Sequence, residues 1–452
     1  MQNGHMWEAC VCPPWTLRRG TNLRYPSFRV SFFLFFIIQS FFYVSIVCTM
    51  KHNVTGSVKD PVHPSVVLER NRGSLTRFEC LEISQYEEIY FLGKHHAKFH
   101  ELHDASVTPH SASNPCFTDN KNGHYCVLPG DHIQYRYEVL RFIASGSFGS
   151  VYKCKDHKTG EFVAVKISTR RNAPAHEAQH EVTMMQHLKM SGQHPGVIAM
   201  YDSFKFRKHV VIVYELLGMD LYEHMKILQF KGCRESFVKC IAVQAFDVLG
   251  YLHDKSITHC DVKPENILLC GLGSSSIKLI DFGSSCFQDK PVFTYVQSRY
   301  YRAPEVLLGL PYGTEIDIWS LGCVLYELLM GKPLFCAKTE GQMVSAMASL
   351  LGPVPLYMAN ASTRRSMFFE PNSNTLLEAK TWDRSRSGSR DPLLEVSRSI
   401  KGGTLFSDLL AKCLRWDPKD RINAQEALAH PWFGSSFSTR YLRPSSHHIN
   451  PC

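Results

Sequence analysis

One stretch constrains this chain more than any other. It runs from His259 to Gly283 and reads H-C-D-V-K-P-E-N-I-L-L, a short polar turn, then I-K-L-I-D-F-G. Four polar residues, Asp261, Lys263, Asn266 and Asp281, are set among apolar runs. Such runs are normally buried, and charges buried with them are costly unless a ligand or metal pairs with them. Phosphoryl transfer uses this combination. One carboxylate orients the attacking hydroxyl and a cation neutralises the moving phosphoryl group, while an amide and a second carboxylate hold Mg2+. A single D-x-K or D-F-G tripeptide is uninformative, and it is the order and spacing of the four that carry the reading.

Upstream, Ile143-Ala-Ser-Gly-Ser-Phe-Gly-Ser-Val151 reads as a glycine-rich loop between two strands. Gly146 and Gly149 stand where backbone amides must approach phosphates closely. Ala144 occupies the first glycine position of the usual pattern. It fits if its φ is negative, which makes a stiffer loop. Val163-Ala-Val-Lys166 is an apolar strand ending in one lysine, expected to reach the α- and β-phosphates of ATP. Its partner is expected on the next helix, where Val182, Met185 and Leu188 share one face. Glu181 is preferred, and Glu177 is expected to be solvated.

Val210 to Leu217 reads as a buried strand running into a hinge. Tyr214 is expected at the back of an adenine pocket. The backbone of Glu215, Leu216 and Leu217 is freed at the strand end and available to the adenine edge. Asp220 is either a ribose contact or the cap of the following helix. Ser145, Ser147, Phe148, Ile143, Val151, Ala164 and Leu268 are assigned to the same ATP site. Downstream, Asp317 is expected to hold the backbone of the stretch around Asp261. Arg421 is expected to pair with Glu305 of Ala303-Pro-Glu305, as a buried brace.

These motifs are those of protein kinases. Asp281-Phe-Gly-Ser-Ser-Cys286 and Phe293-Thr-Tyr-Val-Gln-Ser-Arg-Tyr-Tyr-Arg302 resemble one family in particular, the dual-specificity tyrosine-regulated kinases (DYRK) of the CMGC group. His259-Cys-Asp261, with cysteine where most kinases have arginine, fits the same family, as does Glu215-Leu-Leu-Gly-Met-Asp-Leu-Tyr-Glu223. The resemblance covers Asp131 to Phe433. It implies an α+β, bilobal eukaryotic protein-kinase fold, with an antiparallel sheet and one helix in the N-lobe and a mainly helical C-lobe. It also implies an ATP- and Mg2+-dependent enzyme that phosphorylates its own Tyr295 and then serine and threonine of protein substrates. Substrates with arginine before the target and proline after it are implied too. Arg299 and Arg302 are expected to pair with phosphate on Tyr295, because their planar forks suit it. Phe293 replaces a family tyrosine that does not carry the phosphate. A cyclin-dependent kinase would need a cyclin-binding helix after Lys166, and Asn172 to Leu188 does not resemble one. The rival of the same fold is a catalytically impaired pseudokinase or scaffold.

The rest of the chain divides around this domain. Residues 1–52 hold an uncharged run, Val30 to Met50, long enough to span a bilayer. It reads as a membrane anchor, an uncleaved signal, or a segment removed by starting at Met50. An anchor with Arg18, Arg19, Arg24 and Arg29 before it would leave the kinase outside the cytosol, against ATP use and reduced thiols. Residues 53–136 form an accessory region. Residues 53 to about 75 read as a flexible lead-in. Phe78 to Lys94 resembles the N-terminal autophosphorylation accessory run of the class II branch. Tyr125 to Tyr137 resembles the family's DH box. The kinase domain is placed at 137–433, divided after residue 217, with a segment over 353–404 that departs from the helical pattern, resembles the CMGC insert and contains a solvated loop at Arg384–Arg390, and a short tail over 434–452.

The 452 residues are 44% hydrophobic, enough for one two-lobed core. The net charge of +9 comes with no nucleic-acid module. The 16 cysteines mostly fall inside apolar runs and read as reduced core thiols. A monomer is expected, in the cytoplasm or the nucleus.

Overall fold

The computed structural model describes residues 60–94, 119–120, 123–146, 149–170, 172–271, 273–288, 290–378, 392–400 and 402–434. The Val30–Met50 run, Ser147, Phe148, the Arg384–Arg390 stretch and the 435–452 tail lie outside them. No helix among the described residues is long and apolar enough to cross a membrane.

Two short helices come first, α1 (Pro64–Arg70) and α2 (Arg77–Glu82). The flexible lead-in expected over 53–75 is therefore corrected for its second half. Pro64 begins α1 with its ring pre-set for the first turn, and the His63 ring accepts from Ser65 N. Val67, Leu75, Ile83, Ile89 and Tyr135 then close a small buried cluster of their own. Thr76 and Glu79 make reciprocal bonds at the start of α2, a capping box. Glu79 also takes a hydrogen bond from His132 at 2.7 Å, and Glu82 takes two from Arg207 at 2.9 and 3.1 Å. The Arg207–Glu82 pair thereby fastens the accessory region to the N-lobe.

Six strands follow in one antiparallel sheet: β1 (His132–Ile133), β2 (Tyr137–Gly146), β3 (Gly149–Asp156), β4 (Phe162–Ser168), β5 (Met200–Phe206) and β6 (His209–Glu215). Their order is β1-β2-β3-β4-β6-β5. Arg207 and Lys208 both have positive φ, which makes the tight turn between β5 and β6. Alternation along β4 sends Val163, Val165 and Ile167 to one buried cluster. Ala164 and Lys166 point to the other face, towards helix α3 (Asn172–Met190). Val182, Met184, Met185 and Leu188 of α3 are buried there with Ile212 and Tyr214.

The C-lobe is built on α4 (Leu221–Ile227), α5 (Glu235–Asp254), two short hairpins, and α6 (Pro304–Leu308) to α7 (Glu315–Met330). The hairpin strands are β7 (Ile257–Thr258) with β10 (Cys286–Phe287), and β8 (Ile267–Leu269) with β9 (Ile277–Leu279). The chain continues through α8 (Glu340–Leu351), α9 (Leu356–Ala361), α10 (Arg365–Phe368), α11 (Pro392–Ser399), α12 (Gly403–Cys413) and α13 (Ala424–Leu428). The 353–404 region, expected to depart from a helical pattern, carries the short helices α9, α10 and α11 among its described residues. Met358, Ala359, Phe368, Phe369 and Val396 are buried in the C-lobe core and hold its helices down. Every cysteine among the described residues is a free thiol.

Buried inside α7, Glu327 accepts from the Tyr301 hydroxyl at 2.7 Å. Burial pushes its pKa from 4.5 up to about 7. The folded chain therefore holds a proton that the unfolded chain releases, and stability falls as pH rises from 4.5 through 7. Glu327→Gln keeps an acceptor for Tyr301 without the charge. It is expected to remove about 2 kcal/mol of the stability difference between pH 5 and pH 8, read by denaturant unfolding at each pH. An unchanged difference would show that Glu327 is ionised in the fold.

Candidate active site

The lobes meet at a chain of charges. Lys166 Nζ lies 2.7 Å from Glu181 Oε2 and 3.0 Å from Asp281 Oδ1. Strand β4 supplies the lysine, α3 the glutamate, and the turn after β9 the aspartate. The other Glu181 oxygen accepts from the Tyr214 hydroxyl at 2.7 Å. Tyr214 is fully inside the cleft and braces the glutamate from behind, a contact that local sequence patterns did not reveal. Burial opposes the Lys166 charge, but Asp281 and Glu181 outweigh it and hold its pKa above the ordinary lysine value. Burial likewise works against the Asp281 carboxylate, and Lys166, ahead of Lys263 and His259, still holds its pKa below the usual range. Burial pushes the Glu181 carboxyl up. Two donors on its two oxygens favour the paired, charged form. Glu177 sits one turn earlier on the same helix, without the lysine.

Asp281 and Cys260 both take left-handed backbone, at φ +63° and +67°. Such positions cost energy and persist only where the surroundings hold them. Asp317 accepts from the amides of His259 and Cys260 at 2.8 and 3.0 Å. His259 Nε2 bonds the Ile280 carbonyl at 3.0 Å, and its Nδ1 receives the Asp261 amide at 3.2 Å. The Phe282 ring packs edge-on against His259 at 5.0 Å. This network sets the aim of both aspartates.

Asp261 is held on both oxygens. Oδ2 meets Lys263 Nζ at 2.6 Å and Asn266 Nδ2 at 3.1 Å. Oδ1 accepts from the Ser298 amide and hydroxyl at 3.1 and 2.9 Å. Ser298 was missed in the sequence, where one serine in the Gln-Ser-Arg run carries no signal. Asn266 also donates to the Asp261 carbonyl at 2.9 Å. Its own oxygen, and Asp281 Oδ2, accept no hydrogen bond from the described residues. An amide oxygen and a carboxylate oxygen without donors suit a hard divalent cation.

The nucleotide side is equally defined. Ala144 lies in extended backbone of β2, paired with Val151, so an alanine fits there. Gly146 has open space around it, whereas a Cβ on Gly149 would collide with the Ile167 carbonyl. Gly149 is therefore required by its own sheet as well as by any phosphate. Ser145 and Ile143 sit on the exposed end of strand β2. Ala164 pairs with Tyr214, and Leu268 lies on β8 below the hinge. The backbone amides and carbonyls of Leu216 and Leu217 make no hydrogen bond among the described residues, whereas Gly218 N donates to Leu269 O at 2.8 Å. Asp220 caps α4 by accepting from Glu223 N at 2.8 Å.

The residues from these separate segments converge as a protein-kinase cleft. A protein kinase domain model matches residues 137–433. The chain is 40% identical over 393 residues to dual specificity tyrosine-phosphorylation-regulated kinase 3 of Macaca fascicularis, covering 83% of this chain and 68% of that protein. It is 38% identical over 384 residues to dual specificity tyrosine-phosphorylation-regulated kinase 2 of Drosophila melanogaster, covering 84% of this chain and 52% of that one. The chain belongs to the DYRK family of protein kinases. A more distant relative is the DYRK-family kinase pom1 of Schizosaccharomyces pombe, 36% identical over 390 residues and matched over 35% of its length. This DYRK-family chain thus spans only part of the length of these relatives. As a protein kinase it uses ATP and a divalent metal and acts on protein substrates.

The activation segment departs from expectation in one respect. Arg302 stacks over the Tyr295 ring at 4.0 Å and donates to its hydroxyl. Arg299 does not join it. Its guanidinium donates to the Lys338 carbonyl at 2.8 Å. Glu340 and Arg364 stand at Tyr295 instead, and neither was anticipated. Glu340 is 45 positions from Tyr295 in the chain, so no local pattern could connect them.

Proposed function

We propose that this chain is a dual-specificity kinase that phosphorylates its own Tyr295 and then serine and threonine of other proteins, using ATP and Mg2+. The observation that carries the reading is the unbroken ion-pair chain Glu181–Lys166–Asp281 beside a fully held Asp261. A pseudokinase has no reason to retain all of these charges against their burial cost.

The residues divide the work. The Leu216–Leu217 backbone receives the adenine edge. Lys166 aligns the phosphates, and Glu181, braced by Tyr214, holds Lys166. Asn266 and Asp281 would hold Mg2+, which supplies charge neutralisation at the phosphates. Asp261 orients the acceptor hydroxyl and takes its proton as the hydroxyl oxygen bonds to the γ-phosphorus and the bond to ADP breaks. Lys263 screens the charge on the transferring group. Most of the rate gain is positioning and electrostatics.

Peptide mass spectrometry of the chain, produced without any other kinase, tests the reading. Phosphate is expected on Tyr295 of the wild type and on no fraction of Asp281→Asn. An active wild type with unmodified Tyr295 would sink self-modification as its route to activity.

A further inference from the structure

Around Tyr295 the charges are already paired, before any phosphate is present. The tyrosine ring is about half exposed. Its hydroxyl donates to Glu340, and Arg302 donates to the hydroxyl. Arg302 Nη1 also meets Glu340 Oε1 at 3.1 Å. Arg364 meets the other Glu340 oxygen at 2.5 Å, and its guanidinium lies 5.2 Å from the centre of the Tyr295 ring. Burial pushes the Tyr295 hydroxyl pKa up, keeping it a neutral donor to Glu340. One carboxylate therefore occupies two guanidiniums beside the hydroxyl that would carry a phosphate. The neighbouring Lys338 carbonyl occupies the third, Arg299.

A phosphate on Tyr295 would add a charge of about −1.5 to −2 and three strong acceptor oxygens at this point. Two arginines and one glutamate leave a balance of only one positive charge. With the glutamate in place, the phosphate would face a like charge within contact distance. Without it, two forks face the phosphate directly, and bidentate, charge-assisted pairing to phosphate is roughly twice as strong as a neutral hydrogen bond. Glu340 has an alternative that costs little. It opens α8, so it stays in a first helical turn, where backbone amides favour a carboxylate.

We propose that Glu340 is a placeholder carboxylate and Arg364 a phosphate ligand, so that phosphorylation of Tyr295 exchanges one anion for another on Arg302 and Arg364. The proposal rests on reading Tyr295 as the modified residue. Its consequence is regulatory. Arg364 lies just before α10, and its Nη1 holds the Leu307 carbonyl at the end of α6 at 2.9 Å. The phosphate would tie the activation segment to the 353–404 region as well as to its own Arg302. Arg364 acts as a positioning residue, since it touches neither ATP nor the acceptor hydroxyl.

The test places phosphotyrosine at 295 through a reassigned codon in the full chain, so that it does not depend on self-modification. Tm is measured for this form and for a phosphatase-treated form. In the wild type, phosphate is expected to raise Tm by about 2 °C or more. Arg364→Ala is expected to lose about half of that increment, and to speed removal of the phosphate by a tyrosine phosphatase about tenfold. Arg364→Lys should restore part of both. Glu340→Gln should destabilise the unphosphorylated form more than the phosphorylated one, which enlarges the increment. A merely structural Arg364 would lower both forms equally. An unchanged increment in Arg364→Ala, or an equal loss from both forms in Glu340→Gln, overturns the exchange. Failure of the wild type to phosphorylate itself would sink the self-modification reading without altering these increments.

Discussion

Lys166→Met is expected to lower turnover by about 10³-fold or more while the chain stays folded. Methionine matches the length and the apolar stem of lysine, so β4 keeps its packing. What disappears is the one cation that touches both Glu181 and Asp281. Asp281 then loses the principal charge that holds its pKa below the usual carboxylate range. It faces burial with only the more distant Lys263 and His259 in support. Glu181 keeps its bond from Tyr214 and can take up a proton, which burial already favours. The stability loss should therefore be small beside the loss of rate. The adenine groups at Leu216 and Leu217 lie elsewhere, so nucleotide binding should survive in part. ADP release measured with a protein substrate, together with a thermal melt, checks both halves. A folded variant within tenfold of the wild-type rate would mean that Lys166 does not align the phosphates.

Arg421→Met should produce the largest loss of stability, about 3–5 kcal/mol. Arg421 forms a two-pronged pair with Glu305, both bonds at 2.6 Å, and both side chains are sealed from solvent. The same guanidinium donates to the carbonyls of Arg415, Glu315 and Trp416 and lies 5.1 Å from the Trp319 ring centre. Removing it strands a buried carboxylate and takes a donor from three carbonyls at once. The cost is that of unpaired groups left behind, more than of the pair itself. The companion variant Glu305→Gln with Arg421→Met should then recover a measurable part of the loss, because no charge remains buried. Denaturant unfolding of the two single variants and the double closes the cycle. A loss below about 1 kcal/mol in Arg421→Met would show the brace to be dispensable.

The residues that made the cleft legible were those with no other reason to be where they are. Asp261, Lys263, Asn266 and Asp281 stand among apolar runs of the sequence, and burial makes such charges expensive. Lys166 ends a strand whose alternation dictates which face it uses. Asp317 and Arg421 could be paired with their targets for the same reason. Where the sequence misled, the cause was a weak local pattern supported from afar. Residues 64–75 look polar and loose, yet Val67 and Leu75 find Ile83, Ile89 and Tyr135. The 353–404 region lacks helical periodicity, and its short helices are held by a few residues that reach the C-lobe core.

By itself the sequence picked out the charged residues of the cleft, because that depends on residue type at short, ordered spacing, and the resemblance those motifs carry implied the fold class. Only the tertiary structure decided how those residues are held. Ser298 on Asp261, Tyr214 behind Glu181, and Glu340 with Arg364 around Tyr295 are all contacts between segments far apart in the chain. Their energies depend on distance and burial in space, which spacing along the chain does not encode. The same is true of Arg299, whose fork fits a phosphate but is taken by a nearby carbonyl.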